Sequence, residues 1–294
     1  MDGILGVWPP QAPSTFIGVA NLIDCMHVGR DRVIGAYEVD GLIVDPGPSS
    51  CLETLLAGLE GEPRGLLLTH IHLDHAGASG SLVERFPKLR VYVHEVGAPH
   101  LVDPQKLLQS ASRLYGDDME RLWGEVLPVP EERVRVLQGG ETVEGFKVEY
   151  TPGHASHHVT YLHEDSGDAY TGDVAGVRVP PSEYTLAPTP PPDIDVEAWL
   201  DSLHTVASWG AERLCLTHFG PVTEVEEHLH RMRTALLDSA QAARDADEET
   251  FISWLRTGTR AAVDPESAER LEQADPPSQL WQGLERYWRK RAAA

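Results

Sequence analysis

Lysine is nearly absent from this chain. Lys88, Lys106, Lys147 and Lys290 are the four among 294 residues, and lysine plus arginine total 24 against 46 aspartates and glutamates. The resulting formal charge of −22 argues against a nucleic-acid partner, because such affinity rests on basic side chains that neutralise phosphates. The single dense basic run, Arg289-Lys290-Arg291, sits near the end of the sequence. Cysteine is scarce too: Cys25, Cys51 and Cys215 are odd in number, far apart and form no CxxC pair. Neither a zinc ribbon nor a disulfide scaffold is supported, and Cys215 reads as a small buried hydrophobe in a strand. No apolar run approaches the length that spans a bilayer. The start, MDGILGVWPPQAP, lacks a basic opening and has prolines where a signal core would lie. It predicts no signal peptide and a cytoplasmic protein without a membrane partner. What remains is 41% hydrophobic, enough to build one large domain with an appendage.

Histidine is where the sequence is rich. Residues 69–77 read THIHLDHAG and place His70, His72, Asp74 and His75 directly after Gly65-Leu66-Leu67-Leu68, a run short enough to be a buried strand. Imidazole and carboxylate are ligand types that zinc, iron and manganese accept. An exposed polar loop is the plainer reading, but three histidines in six residues gain nothing there. In a core each would need its own hydrogen-bond partner. Three further strand ends carry one candidate each: His154 in Thr151-Pro152-Gly153-His154, Asp173 in Thr171-Gly172-Asp173, and His218 in Thr217-His218-Phe219-Gly220. Four strand ends that deliver these groups are what a metal site on the rim of a sheet requires.

HxHxDH, then Gly-His, Gly-Asp and a late His resemble the metallo-β-lactamase-fold hydrolase superfamily, over roughly residues 1–221 and at all seven positions. The resemblance implies an α/β protein, a four-layer αββα sandwich with two metals in a cleft at one sheet edge. It implies that His70, His72 and His154 hold the first metal, that Asp74, His75 and His218 hold the second, and that Asp173 bridges them. The expected cofactor is two divalent ions, zinc first, with iron or manganese as alternatives. Such ions lie roughly 3.5–4 Å apart and bring the pKa of a shared water down to around 7. The implied mechanism is attack by a bridging hydroxide, with Asp74 orienting it. After both aspartates and the hydroxide are counted, roughly one net positive charge remains to meet a developing oxyanion.

Around these motifs strands and helices alternate, as in a mixed α/β sandwich. A hairpin is predicted at 36–39 and 42–44 about Asp40-Gly41, closed by Asp45-Pro46-Gly47. Helices are predicted at 51–59 and 79–86, and strands at 91–93 and between 134 and 171. Residues 104–126 read as a helical insertion with Leu107, Ala111, Leu114, Leu122 and Val126 near one face and a break at Gly116-Asp117-Asp118. The resemblance places such a segment above the metals, which makes Leu108, Tyr115, Met119 and Trp123 candidate pocket residues, with ordinary packing as the alternative. The proline-dense 179–192 loop is stiff and leaves a ligand-bearing strand. Its Tyr184 is the candidate hydrogen-bond donor to an oxyanion or leaving group, against a plain packing role.

A helix is expected to start at Asp195, and from Thr223 the chain turns all-helical, opening on capping-box spacing in Thr223-Glu224-Val225-Glu226. Two units follow: 1–222, the catalytic domain, and 223–294, a helical C-terminal extension. Trp254, Trp281, Tyr287 and Trp288 in the extension need a surface, the main domain first and a homodimer contact second. His228 and His230 are two apart on a helix, face different ways and are not assigned as ligands. His157 and His158 are expected to support His154, and His94 and His100 read as satisfied polar residues.

The leading functional reading is a dinuclear metal hydrolase of a small-molecule thioester, ester or lactone, in the manner of glyoxalase II or an acyl-homoserine lactonase. No basic cluster suits glutathione. Arg178, read as a surface arginine, is the sole cation close to a ligand, which speaks against a β-lactam carboxylate. Phosphoester or phosphotriester hydrolysis uses the same site. A mono-iron persulfide dioxygenase-like oxidoreductase is the alternative from another class. A non-enzymatic scaffold fits poorly with seven retained ligands.

Overall fold

The structure, a computed structural model, describes residues 20–293. The segment on which the signal-peptide reading rests lies outside the described residues. Leu42, Val44 and Leu67 join one apolar layer, while Ile43, Leu66 and Leu68 join another. That alternation is the period of a strand buried on both faces, and it dictates the layering.

Strands β1 (Asn21–Asp24), β2 (Gly35–Val39), β3 (Leu42–Val44), β4 (Gly65–Leu67), β5 (Arg90–His94) and β6 (Val134–Leu137) form one sheet, in sequence order. Strands β7 (Thr142–Val143), β8 (Phe146–Tyr150), β9 (Val159–His163), β10 (Asp168–Gly172), β11 (Arg213–Leu216) and β12 (Gly220–Val222) form the second, also in order. Tyr37, Leu42, Leu67 and Tyr92 of the first sheet meet Phe146, Val148, Tyr161 and Tyr170 of the second.

Helices α1 (Leu52–Gly58), α2 (Leu73–Ala76), α3 (Ser79–Arg85), α4 (Ala98–Val102), α5 (Gln105–Tyr115) and α6 (Met119–Trp123) pack on the outer face of the first sheet. Helices α7 (Val196–Ser208), α8 (Val225–Asp245), α9 (Glu248–Ala262), α10 (Pro265–Ala274) and α11 (Pro277–Ala292) pack on the second. The layers run helix, sheet, sheet, helix, which is the αββα sandwich with a helical C-terminal extension. The Asp40-Gly41 hairpin forms as read, and a 3₁₀ turn at Gly116–Asp118 separates α5 from α6.

Asp195, Asp247 and Asp264 each cap a helix by accepting from the backbone N–H of Ala198, Thr250 and Ser267, a contact that stabilises by about 1 kcal/mol. The expected box at Thr223 does not form. Helix α8 begins at Val225, and the Thr223 hydroxyl bonds the Glu224 carboxylate instead. The extension shares its core with the second sheet: Met232, Leu236, Phe251 and Leu284 lie in one apolar cluster with Trp199, Leu214 and Leu216. Trp281 and Trp288 pack against that cluster and Tyr287 lies within it, whereas Trp254 stays 42% exposed. No described helix is long and apolar enough to cross a membrane.

Candidate metal centre

Strand direction builds the site. Strands β3 and β4 run parallel, as do β10 and β11, and β8 shares the direction of β10 because both are antiparallel to β9. Asp45 follows the end of β3, His70 and His72 that of β4, His154 that of β8, Asp173 that of β10 and His218 that of β11. The short helix α2 adds Asp74 and His75. Two glycines make the approach possible. Gly153 (φ +132°) and Gly172 (φ +48°) precede His154 and Asp173, and a Cβ would strike the Trp199 backbone at the first and Thr69 Oγ1 and His158 Nε2 at the second. L-residues rarely adopt such φ values.

All seven expected ligands converge, in two clusters. In the first, His70 Nε2 and His154 Nε2 each stand 3.0 Å from His72 Nδ1. In the second, His75 Nε2 and His218 Nε2 are 3.4 Å apart, with Asp74 Oδ2 at 3.6 and 3.4 Å from them. Asp173 lies between. Its Oδ2 is 3.2 Å from His154 Nε2, and its Oδ1 is 3.2 Å from His75 Nε2 and 3.5 Å from His218 Nε2.

The outer edge of every ligand ring but His72, whose Nδ1 faces inward, is already used. His75 Nδ1 donates to Asp45 Oδ2 at 2.8 Å, His154 Nδ1 to the Pro188 carbonyl at 2.8 Å, and His218 Nδ1 to the Val33 carbonyl at 2.6 Å. His70 Nδ1 faces Thr69 Oγ1, whose own proton goes to Asp45. A proton on Nδ1 leaves the Nε2 lone pair aimed inward, which is how metal-binding imidazoles are oriented. Asp173 Oδ1 is buried with only the inward Nε2 atoms of His75 and His218 near it, a costly state once those nitrogens are unprotonated unless a cation satisfies it. Imidazole nitrogens on one tetrahedral zinc stand roughly 3.3 Å apart, given bond lengths near 2.0–2.1 Å. The donor set and its spacing fit two divalent ions.

Without metal, the clusters differ electrostatically. Burial, reinforced by neighbouring imidazoles, holds His70 and His154 below the ordinary histidine value and His72 down to about 4. Burial opposes the charged form at His75 and His218 as well, but there the carboxylates outweigh it. Asp173, Asp74 and Asp45 raise His75, and Asp173 and Asp74 raise His218 to about 9.

Asp45 is the residue that the sequence reading missed. It accepts from Thr69 N, Thr69 Oγ1, Thr217 Oγ1 and His75 Nδ1, so it ties both strand ends to one ligand. Its signal was present, an acid directly after an apolar strand, but Asp-Pro-Gly also reads as a plain turn. Tyr184 is a correction. Its hydroxyl bonds Thr259 Oγ1 at 3.1 Å and its ring packs on the core beneath the extension, away from the cleft. The other half of the 179–192 loop does reach the site, through the Pro188 carbonyl and prolines 190–192. His158 lies behind the centre, its Nε2 accepting from Asp173 N at 3.4 Å and its Nδ1 bonded to Thr151 Oγ1. His228 is buried on the Ala175 carbonyl and His230 is exposed.

A cleft of about 230 Å³ opens over the centre, lined by His72, Asp74 and Asp173 below and by Leu107, Ala111 and Tyr115 on one wall. Helix α5 therefore presents the face that was read as its packing face. Of the four residues proposed for the pocket, Tyr115 lines it, while Trp123 is buried on the ring of His27 and Met119 packs on the first-sheet core. Leu108 lies outside the cleft lining. His100 and His157 also reach the cleft. Arg178, expected on the surface, has a side chain only 11% exposed, held by the Ser182 carbonyl and facing Glu224.

The family model of the metallo-beta-lactamase superfamily matches residues 36–218, which takes in every one of the seven positions. The metallo-beta-lactamase fold-containing protein ST1585 of Sulfurisphaera tokodaii is 31% identical over 57% of this chain and 65% of its own length. A hydroxyacylglutathione hydrolase of Synechococcus is 31% identical over 45% of this chain and 42% of that protein. The chain thus spans under two thirds of the length of these curated relatives. The crystal structure of ST1585 matches with a TM-score of 0.59 at 27% identity, over 68% of this chain and 80% of that one. TTHA1623, solved in a di-iron-bound form, matches with a TM-score of 0.52 at 29% identity, over 67% and 91%. With the fold, the rim and the motif order in agreement, the chain belongs to the metallo-beta-lactamase superfamily.

Proposed function

We propose that this protein is a metal-dependent hydrolase of a small-molecule thioester, ester or lactone. The observation that carries the reading is the pair of ligand clusters sharing Asp173 on the floor of a narrow, largely apolar cleft. His70, His72 and His154 would hold one ion, and Asp74, His75 and His218 the other. Two divalent ions bound there, zinc first among them, would supply Lewis acidity and a water activated at neutral pH. The chain's own residues do the rest. Asp45, Thr69 and the Pro188 and Val33 carbonyls fix the ring orientations, and Leu107, Ala111 and Leu114 form an apolar wall against which an acyl group can lie. Desolvation by that wall strengthens every electrostatic contact within the cleft.

The cleft favours an uncharged ester over a phosphate. Asp193 and Asp275 line it, and Lys106 is its one lysine or arginine among the described residues. A phosphate dianion would face the Asp193 carboxylate beyond the ligands themselves. The hydroxyacylglutathione hydrolase likeness points toward a thioester. The experiment is hydrolysis of a panel of thioesters, lactones, alkyl esters, phosphoesters and a β-lactam by the metal-loaded protein. Cleavage confined to the carbonyl substrates supports the reading; cleavage of phosphoesters alone, or of none, overturns it.

A further inference from the structure

The leaving group of an ester or lactone needs a proton, and no group in the two ligand clusters is free to give one. Asp275 lies between α10 and α11 and lines the same cleft as Asp74 and Asp173. It is 7% exposed, and no described group donates to its buried Oδ2. A buried carboxylate without partners is strongly disfavoured, whereas a carboxylic acid costs less to bury and carries an O–H to donate. We propose that Asp275 is the catalytic acid, delivering its proton to the oxygen that departs when the carbonyl–oxygen bond breaks.

The inference rests on the hydrolase reading and adds a residue from the helical extension to it. The attacking water gives one proton to solvent as its oxygen adds to the carbonyl carbon, and the carbonyl–oxygen bond breaks with its electron pair on the departing oxygen. That oxygen takes the Asp275 proton, so the products are an acid and an alcohol. Asp275, left as a carboxylate, regains a proton from solvent. Without metal, the surroundings favour the protonated form. Burial first, then the Asp173 and Asp74 carboxylates, push its pKa up to about 8, while His218 and His75 pull the other way. The Tyr115 hydroxyl on α5 faces the same region and bonds Gln279 Oε1 of α11 at 3.3 Å. His72, His100, His157, Lys106 and Asp193 complete the titratable lining. Bound cations favour the ionised form, so the protonation state is read on the metal-loaded protein.

The test uses two esters of one acid, an alkyl ester and a 4-nitrophenyl ester, whose leaving group departs without a proton. With metal content confirmed equal, Asp275→Asn lowers kcat on the alkyl ester by about 10²–10⁴-fold, the usual contribution of a general acid. On the nitrophenyl ester it changes little, and Asp275→Glu recovers part of the alkyl-ester rate. The infrared spectrum of the metal-loaded wild type at neutral pH shows a carboxylic C=O band that Asp275→Asn removes. Equal losses on both esters, loss of metal in the variant, or the absence of that band overturns the assignment. A wild type that cleaves thioesters but neither ester also overturns the assignment, whereas one that cleaves no thioester, lactone or ester overturns the hydrolase reading itself, and its own inactivity tells that failure apart.

Discussion

His70, His72 and His154 have a single carboxylate, Asp173, among their ligand partners. His75 and His218 have Asp173 and Asp74 in front, and His75 has Asp45 behind. His70 and His154 are as buried as His75 and His218, so burial does not distinguish the two sets. The carboxylates do, holding protons on the second pair while the first set stays neutral. The unequal halves arise from topology. Asp45 follows the end of strand β3 beside β4, and that acid bonds His75 alone among the ligands, while the outer partner of His154 is the neutral Pro188 carbonyl. Similar ligand types thus produce one half that accepts a cation directly and one that must first lose protons.

The deepest cut is at the shared residue. Asp173→Ala takes a ligand from both halves, so metal content falls below two per chain. Hydrolysis drops by more than the roughly 10–100-fold that loss of an outer hydrogen-bond partner causes. Elemental analysis beside the ester assay checks both, and unchanged stoichiometry would remove the bridge from the account.

Next comes pH. His75 and His218 are raised, the latter to about 9, so both carry protons at pH 7 that a metal must displace. Affinity in the second half therefore rises with pH up to about 9, by about tenfold per unit for each proton displaced. His72, lowered to about 4, and its partners are already neutral, so the first half is flat between pH 6 and 8. Metal titrations at those two values measure it, and two parallel slopes would contradict the difference between the halves.

Asp45→Asn is expected to weaken the second half by about 10–100-fold and the first, which Asp45 meets only through Thr69, by less; stepwise metal competition resolves the two. Tyr184→Phe should be nearly silent. It loses one bond to Thr259, about 0.5–1.5 kcal/mol of stability by denaturant titration, with ester hydrolysis unaltered.

The candidate metal ligands were legible because each lies at a strand end or, for Asp74 and His75, in the short helix just beyond one, where neighbouring residues in sequence carry the structural cue. Period-two apolar runs also revealed the strands, and Asp195 revealed its helix. Asp45 was hidden because Asp-Pro-Gly serves a turn equally well, and only strand pairing puts it beneath His75. The pocket wall was misread by one step around α5: Leu107 and Ala111 are apolar whether they face a core or a cleft, and periodicity does not say which. Tyr184 was placed by proximity to Asp173 in the chain, but the loop turns toward Thr259 before its later prolines return to the site. Asp275 could not be found locally. Its Asp-Pro-Pro setting reads as a helix break, and only the docking of the extension onto the second sheet brings it to the cleft.

The most direct measurement is the number and identity of metal ions per chain, by elemental analysis of the protein purified at pH 8, with ester and thioester hydrolysis followed on the same sample. Two divalent ions per chain with cleavage of a carbonyl substrate is the predicted result. One iron per chain with no hydrolysis would contradict it.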